Sequence, residues 1–207
     1  GLIWFYRDLG MIEKAIKYSD KAIKKCTEVN DNLQLSYFIS EKFDIYNKIG
    51  LIDSAKFYID KSYTISKRKK MWVAEKQHRI NLIDHYINNK NYKKSKEIII
   101  ESLDLSLSKS DSVHYFLFNV RKGKLFFELG DFSNASEIFD SYREFSMQKN
   151  RREKIQLHVL ITWIKTELKL NNYKKAEKYF EELTLNYTEH FEVTSSLSLQ
   201  YICNSLK

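Results

Sequence analysis

The sequence predicts an all-α fold, a right-handed α-solenoid in which antiparallel helix pairs stack one on the next. Its 207 residues contain no proline and five glycines, and 43% of them are hydrophobic. A β-sandwich or barrel builds its many turns from proline and glycine, so this composition favours helices around a packed core. The turn-like stretch LGDFSNASEIF at 129–139 also has counterparts at 9–18 and 49–58, forty residues apart.

These counterparts belong to a repeat with a period of about 40 residues. The column of turn residues is Gly10, Gly50, Lys90, Gly130 and Asn171. Four positions earlier stand Tyr6, Tyr46, Tyr86, Phe126 and Glu167. Five positions after the turn the residue is always small: Ala15, Ala55, Ser95, Ala135 and Ala176. We expect this small column to lie where two helices cross, because a larger side chain would separate them.

Each repeat contains two segments with helical periodicity. One helix follows each turn of the glycine column, and the other runs over 33–48, 73–88, 113–129 and 154–170. Glycine in the turn can adopt the left-handed conformation that ends a helix. Asn171 tolerates that conformation, whereas Lys90 fits it less well, so the flanking Asn89 or Asn91 could shift the cap.

Counting partial units predicts about eleven helices in one repeat domain over 1–207. The chain starts inside one helix pair and stops inside another. Natural solenoids end in polar capping elements, so we expect the sequence to be a piece of a longer array.

The repeat resembles the tetratricopeptide repeat (TPR), in the long variety found in bacterial TPR-containing regulatory proteins. The resemblance rests on glycine, an aromatic residue two positions on and alanine three further on. It is closest in LGDFSNASEIF and in LNNYKKAEKYF at 170–180, and it covers essentially the whole chain. The period of 40 exceeds the usual value of about 34, the closing proline is missing, and Trp163 lies outside the family's tryptophan column.

The resemblance implies that the first helix of each pair lines a concave groove. Spacing along that helix then gives the candidate binding residues Asp44, Asn47, Asp84, Ile87, Leu117, Lys124, Phe127, His158, Lys165 and Leu168. One column changes from Asp44 and Asp84 to Lys124 and Lys165, so acidic repeats give way to basic ones. The stretch VHYFLFNV at 113–120 is apolar on nearly every side, and we interpret it either as core or as an exposed groove floor.

No catalytic constellation is present. The Gly-Lys within 121–130 lacks the glycine loop and the Ser or Thr of a phosphate-binding loop. His78 and His85 are two helical turns apart, not at the spacing of a zinc helix. Cys26 lies near a helix end, where the dipole raises the pKa of a thiol. We therefore predict no catalytic residue, no metal and no cofactor, and a protein that is not an enzyme.

The formal net charge is +8, but most basic residues are interleaved with acidic ones. Two basic clusters, KRKK at 67–70 and KNRREK at 149–154, fall in predicted connections between helices. We interpret both as solvated loops. The alternative is a nucleic-acid-binding module that uses these loops, although the equivalent connections at 27–32 and 110–112 are not basic.

The favoured function is a protein- or peptide-binding scaffold that forms the sensor or interaction domain of a larger bacterial transcriptional or signalling regulator. Its partner would be a segment of another protein or of another domain of the same full-length chain. The sequence contains no run of about twenty apolar residues, which is the length needed to span a membrane. The sequence does not fix the compartment; we favour the cytoplasm, and a signal peptide outside these residues would place the protein in the periplasm.

Overall fold

Every regular element that the structure describes is an α-helix. This computed structural model describes residues 1–148 and 157–187. The helices are α1 (Leu2–Asp8), α2 (Ile12–Glu28), α3 (Asn32–Lys48), α4 (Ile52–Arg68), α5 (Trp72–Asn88), α6 (Tyr92–Ser108), α7 (Ser112–Glu128), α8 (Phe132–Gln148), α9 (Leu157–Lys169) and α10 (Tyr173–Tyr187). The predicted all-α class is confirmed. An eleventh helix would fall in 188–207, outside the described residues.

The helix boundaries follow the predicted repeat closely. Segments 33–48, 73–88 and 113–129 correspond to α3, α5 and α7 within one residue at each end. The segment predicted over 154–170 corresponds to α9, although residues 154–156 lie outside the described part of the chain.

The eight described turns between helices share one backbone conformation. The residues with positive φ are Gly10, Asn30, Gly50, Lys70, Lys90, Ser110, Gly130 and Asn171. At the first turn, Met11 N–H donates to the carbonyl of Tyr6 at 2.8 Å, and Gly10 N–H donates to that of Arg7 at 3.1 Å. The equivalent two bonds recur at the other seven turns. This is the Schellman motif, which satisfies carbonyls that a helix end otherwise leaves unpaired.

Lys90 itself has the left-handed conformation, with φ 57°, so the neighbouring asparagines do not shift the cap. A conformation that is uncommon for a side chain with a Cβ is tolerated here because the two backbone bonds of the motif hold it. The turns also recur every 20 residues from Gly10 to Gly130, which is half of the period predicted from the sequence.

The column of small residues lies in the core, as predicted. Ala15, Ala55, Ser95 and Ala135 are completely buried, and Ala176 is 1% exposed. The aromatic column packs beside it: the rings of Tyr6 and Tyr18 stack with centroids 5.2 Å apart, and Tyr46 and Tyr58 repeat this pair at the same distance.

Gly123 is a departure from the repeat within α7. Positions equivalent to it in α3 and α9 hold Phe43 and Ile164, both buried. A Cβ at Gly123 would lie 3.0 Å from Cε1 of Phe139, a buried ring on α8. Because glycine has no side chain, the Phe139 ring has space to pack between α7 and α8.

The chain divides into two compact units, Gly1–Ile98 and Ile99–Lys207. In the first unit, one core cluster surrounds Ala15 and Ile45, and another surrounds Phe43, Ala55 and Leu82. In the second unit, the described core is centred on Trp163, which is completely buried. None of the described helices is long and apolar enough to cross a membrane.

Candidate binding surface

In the first unit, the predicted groove residues differ in accessibility. Asp44 on α3 and Asp84 on α5 are half-buried, and Asn47 is exposed at the end of α3. Ile87 is only 2% exposed, so it packs in the core and presents no side chain to a ligand. The reason is that ten of the seventeen residues of α5 are buried, which leaves a narrow accessible strip along that helix.

Asp44 lies in a recess beside α1. Arg7 Nη1 is 3.4 Å from Asp44 Oδ2 and 3.5 Å from Glu41 Oε2, so one guanidinium faces two carboxylates. Desolvation raises the pKa of Asp44 to about 6; the Arg7 charge opposes this shift and the Glu41 charge adds to it. Since 39% of the side chain remains exposed, Asp44 is surrounded by protein and still open to solvent.

Glu41 and Asp44 together exceed the charge that Arg7 can neutralise. Arg7 also contacts Asp8, with Nε 3.1 Å from Oδ1. When both carboxylates of α3 are ionised, the group of Arg7, Glu41 and Asp44, which we call the acidic recess, has a net negative charge. A cationic side chain entering it would relieve the repulsion between the carboxylates.

A hydrogen-bonded row of polar side chains continues this surface from α3 to α5. Gln77 Nε2 donates to Asn81 Oδ1 at 3.1 Å, and Asn81 Nδ2 donates to Ser40 Oγ at 3.3 Å. Such a row fixes the register of the two helices and presents amide groups at an accessible edge.

The two histidines of α5 are buried instead of forming a ligand site. His78 is completely buried against the edge of Tyr37, and burial lowers its pKa to about 4. His85 is 3% exposed beside Phe43, and burial lowers its pKa as well. Among the described residues, no group of three or more potential ligands could hold a metal ion.

In the second unit, most of the predicted surface is half-buried. Leu117, Lys124, Phe127, Lys165 and Leu168 are half-buried, whereas His158 is exposed. Phe127 and Leu168 pack against the Trp163 core, and the ring centroids of Phe127 and Phe132 are 5.6 Å apart. The apolar side chains of this surface therefore contribute to folding as well as to the accessible area.

The stretch at 113–120 has no exposed residue, so it is closer to the core interpretation than to an exposed groove floor. Phe118 is completely buried and Val120 is 3% exposed. The remaining six residues are half-buried. Phe116 also stacks on Phe145 of α8 with centroids 3.9 Å apart.

Glu167, the acidic residue in the aromatic column, is the centre of a buried polar cluster. Its carboxylate accepts hydrogen bonds from Ser136 Oγ at 2.6 Å and Asn172 Nδ2 at 2.9 Å, and Lys175 Nζ is 3.0 Å away. Burial raises the pKa of Glu167, but these hydrogen bonds and the Lys175 charge outweigh it, so the pKa is below its usual value.

The same lysine position contacts the aromatic column in other repeats. Lys14 Nζ lies 5.5 Å from the centre of the Tyr6 ring, and Lys94 Nζ lies 5.6 Å from that of Tyr86. At Lys175 the partner is a carboxylate, so an ion pair replaces a cation–π contact at one site of the repeat.

Sequence reasoning missed the residues that complete these clusters. Arg7 and Glu41 lie outside the predicted column, and only the packing of α1 on α3 brings Arg7 to Asp44. Glu41 precedes Asp44 by three residues on one helix, a spacing that could have indicated a shared face.

The first basic cluster, at 67–70, consists of the last residues of α4 and the turn after it, all exposed. The second, at 149–154, lies outside the described residues. Cys26 is 8% exposed, and burial, followed by the charge of Asp31, raises its pKa. The direction of this shift agrees with the expectation from the sequence, although its causes are burial and the Asp31 charge and not the helix dipole.

Comparison with solved structures identifies the fold. The chain is similar to a putative kinesin light chain with nearly identical TPR-like repeats from Podosopora anserina (TM-score 0.66, 11% identity, 91% of this chain and 92% of that chain covered). It is also similar to BtubC (BKLC) from P. vanneervenii (TM-score 0.72, 15% identity, 94% and 80% covered). A third similar structure is the apo form of RapI (TM-score 0.69, 19% identity, 97% and 59% covered).

No protein-family model matches the sequence, and comparison with curated proteins finds no match. The structural similarity confirms the TPR-type fold that the repeat columns predict. The chain thus has a TPR-like helical-repeat fold.

Proposed function

We propose that this chain is a non-enzymatic scaffold that binds a peptide or protein segment on the first helix of each pair, which is α3, α5, α7 or α9. It would be the sensor or interaction domain of a larger bacterial transcriptional or signalling regulator. The partner is either a separate protein or another domain of the same full-length chain. The observation that supports this proposal most directly is the acidic recess, where Arg7 faces the carboxylates of Glu41 and Asp44 and 39% of the Asp44 side chain remains exposed.

The recess favours a segment that carries a lysine or arginine. An incoming cation would stabilise the ionised form of Asp44, whose pKa is already raised to about 6 by its surroundings. The polar row of Gln77, Asn81 and Ser40 could hold the backbone of the same segment. In the second unit, Lys124 and Lys165 would attract acidic side chains, while Phe127 and Leu168 would supply apolar area.

A direct test compares a short lysine- and leucine-containing peptide with its glutamate counterpart by fluorescence anisotropy. We expect the lysine peptide to bind more tightly, and Asp44→Asn to weaken its binding by about tenfold or more, since a hydrogen bond to a charged group contributes about 1.5–3 kcal/mol and about 1.4 kcal/mol corresponds to tenfold. Glu97→Gln, at an exposed position of α6, is the matched control and should leave the affinity unchanged.

The pH dependence gives an independent readout. Affinity for the lysine peptide should fall as the pH decreases through about 6, because Asp44 becomes protonated there. The Asp44→Asn variant should lose this dependence. Equal binding of both peptides, with no effect of Asp44→Asn, would exclude the acidic recess as the binding site.

The second unit is tested by Lys124→Glu with Lys165→Glu, and separately by Phe127→Ala. The double reversal should weaken a cognate acidic segment with little change in the melting curve, because half-exposed charges contribute little to folding. Phe127→Ala should lower both affinity and stability, since its ring packs against the core. Stability losses with unchanged affinity would assign this surface to folding alone.

The alternative is a nucleic-acid-binding module. Among the described residues, the exposed basic residues at 67–70 support it. Titration with single-stranded and duplex DNA across a range of salt would separate the two functions. Binding that falls steeply with salt would favour nucleic acid.

A further inference from the structure

The outward face of α4 forms a shallow trough of about 590 Å³ in the first unit. Its lining includes Asp53, Phe57, Asp60, Lys61, Ile65 and Arg68, which recur at the spacing of one helical face. Phe57 is 59% exposed, so its ring is available for contact with a second molecule. We call this set of residues the α4 face. It is separate from α3, α5, α7 and α9, the helices on which peptide binding is proposed.

The charges of the α4 face are arranged symmetrically. Asp53 and Arg68 lie near its two ends, equally far from a midpoint that falls between Asp60 and Lys61. Residues equidistant from the midpoint therefore have opposite charges at the ends and again at the centre. If two copies of α4 pack antiparallel about a two-fold axis through this midpoint, Asp53 of one copy meets Arg68 of the other, and Asp60 meets Lys61.

The interactions within the chain leave the end charges available. Among the described residues, Asp53 and Arg68 have no ion-pair partner, whereas Asp60 pairs with Lys56 one turn away on the same helix. The Lys61 ammonium lies 5.9 Å from the centre of the Phe57 ring, which orients both side chains along the trough. The apolar part of the pairing would come from Phe57 and Ile65.

The equivalent outward face of α2 lacks this symmetry. Glu13 and Glu28 occupy the positions that correspond to Asp53 and Arg68, so an antiparallel pair of α2 helices would place like charges together at both ends. The self-complementary pattern is thus a property of α4 and does not follow from the repeat alone.

We propose that the α4 face is the interface of a symmetric dimer, whose partner is a second copy of this chain. Each two-fold pair of helices carries four opposite-charge contacts, two at the ends and two at the centre, around the Phe57 side chains. A helix of 17 residues is about 25 Å long, so the contact is small and the dimer is weak and in rapid exchange. Its dissociation constant should rise with salt, since the charges are exposed.

Sedimentation velocity over a range of protein concentrations tests the proposal with four variants. Asp53→Arg and Arg68→Asp should each weaken the parent dimer by about tenfold or more, because each places two like-charge pairs at the ends. The double variant D53R/R68D should dimerise like the parent. An equimolar mixture of the two single variants should form a heterodimer, since every end contact is then attractive.

Glu13→Arg on α2 is the matched control, a charge reversal at an exposed position of an equivalent helix, and should leave dimerisation unchanged. Melting curves by circular dichroism establish that each variant is folded. A parent chain that stays monomeric at the highest concentration would overturn the proposal. Dimers that persist in both single variants, or single variants that remain monomeric when mixed, would overturn it as well.

Discussion

Gly123→Ala should destabilise the protein, although the same substitution in an exposed helix normally stabilises. An alanine gains about 1 kcal/mol over glycine in a helix interior. At Gly123, however, the new methyl group would lie 3.0 Å from Cε1 and 3.2 Å from Cζ of Phe139, and 3.2 Å from Cγ2 of Ile138. Carbon atoms are attracted at separations of about 3.5–4.0 Å and repel below that.

The magnitude follows from these two opposing effects. Adding a methyl group to a packed core costs about 1–3 kcal/mol, and the gain in helix propensity offsets about 1 kcal/mol of it. The Phe139 ring is 1% exposed and approaches Trp163 with ring centroids 5.9 Å apart, so it has little room to move. We therefore expect a net loss of about 1 kcal/mol in the free energy of unfolding.

Urea denaturation followed by far-ultraviolet circular dichroism measures this loss. Phe139→Leu provides the partner for a double-mutant cycle, because a leucine withdraws the atoms that face Gly123. The double variant should be more stable than the sum of the single effects by about 0.5 kcal/mol or more, as is typical of residues in contact. If Gly123→Ala were instead more stable than the parent by about 1 kcal/mol, the crossing of α7 and α8 would contain unused space and the reasoning would be refuted.

Three further predictions concern buried positions. Ala135→Leu should overpack the crossing where Ala135 is 0% exposed and cost about 1–3 kcal/mol in thermal unfolding, whereas Ser133→Leu on the exposed side of α8 should cost little. For His78, the folded pKa of about 4 lies below the ordinary 6.5, so the free energy of unfolding should fall by up to about 3 kcal/mol as the pH decreases from 6.5 to 4. His78→Phe should reduce this loss. If the urea midpoints of His78→Phe changed with pH as those of the parent do, the prediction would be contradicted. Glu167→Gln should cost about 1–3 kcal/mol at neutral pH, because it weakens the buried hydrogen bonds of Glu167 while Lys175 keeps its ion pair with Asp140. Because the pKa of Glu167 is lowered, the difference from the parent should shrink in denaturation below about pH 4.5.

The repeat columns predicted the fold because they report on packing that recurs. Alanine or serine at every crossing and a turn residue every 40 positions fix where helices begin, end and touch. The half-period of 20 was not predicted, because its turn residues, Asn30, Lys70 and Ser110, share no side-chain chemistry. They share only a backbone conformation, which the sequence does not display.

The binding surface was harder to predict for a different reason. Spacing along a helix identified Asp44 and Asp84, which are half-buried, but it also selected Ile87, which packs in the core. A fixed spacing describes one line along a helix, whereas the width of the buried arc depends on the neighbouring helices. Arg7 could not be assigned to Asp44, since their contact joins residues from two helices that pack only in the folded chain.

The Schellman turns make the ends of these helices tolerant of different residue types. Glycine, asparagine, lysine and serine all occupy the left-handed position, and the two backbone bonds of each turn are made whichever of them is present. Substitution at these positions is therefore weakly constrained. The repeats can lose sequence similarity to one another and to related proteins while the positions of the helices stay the same.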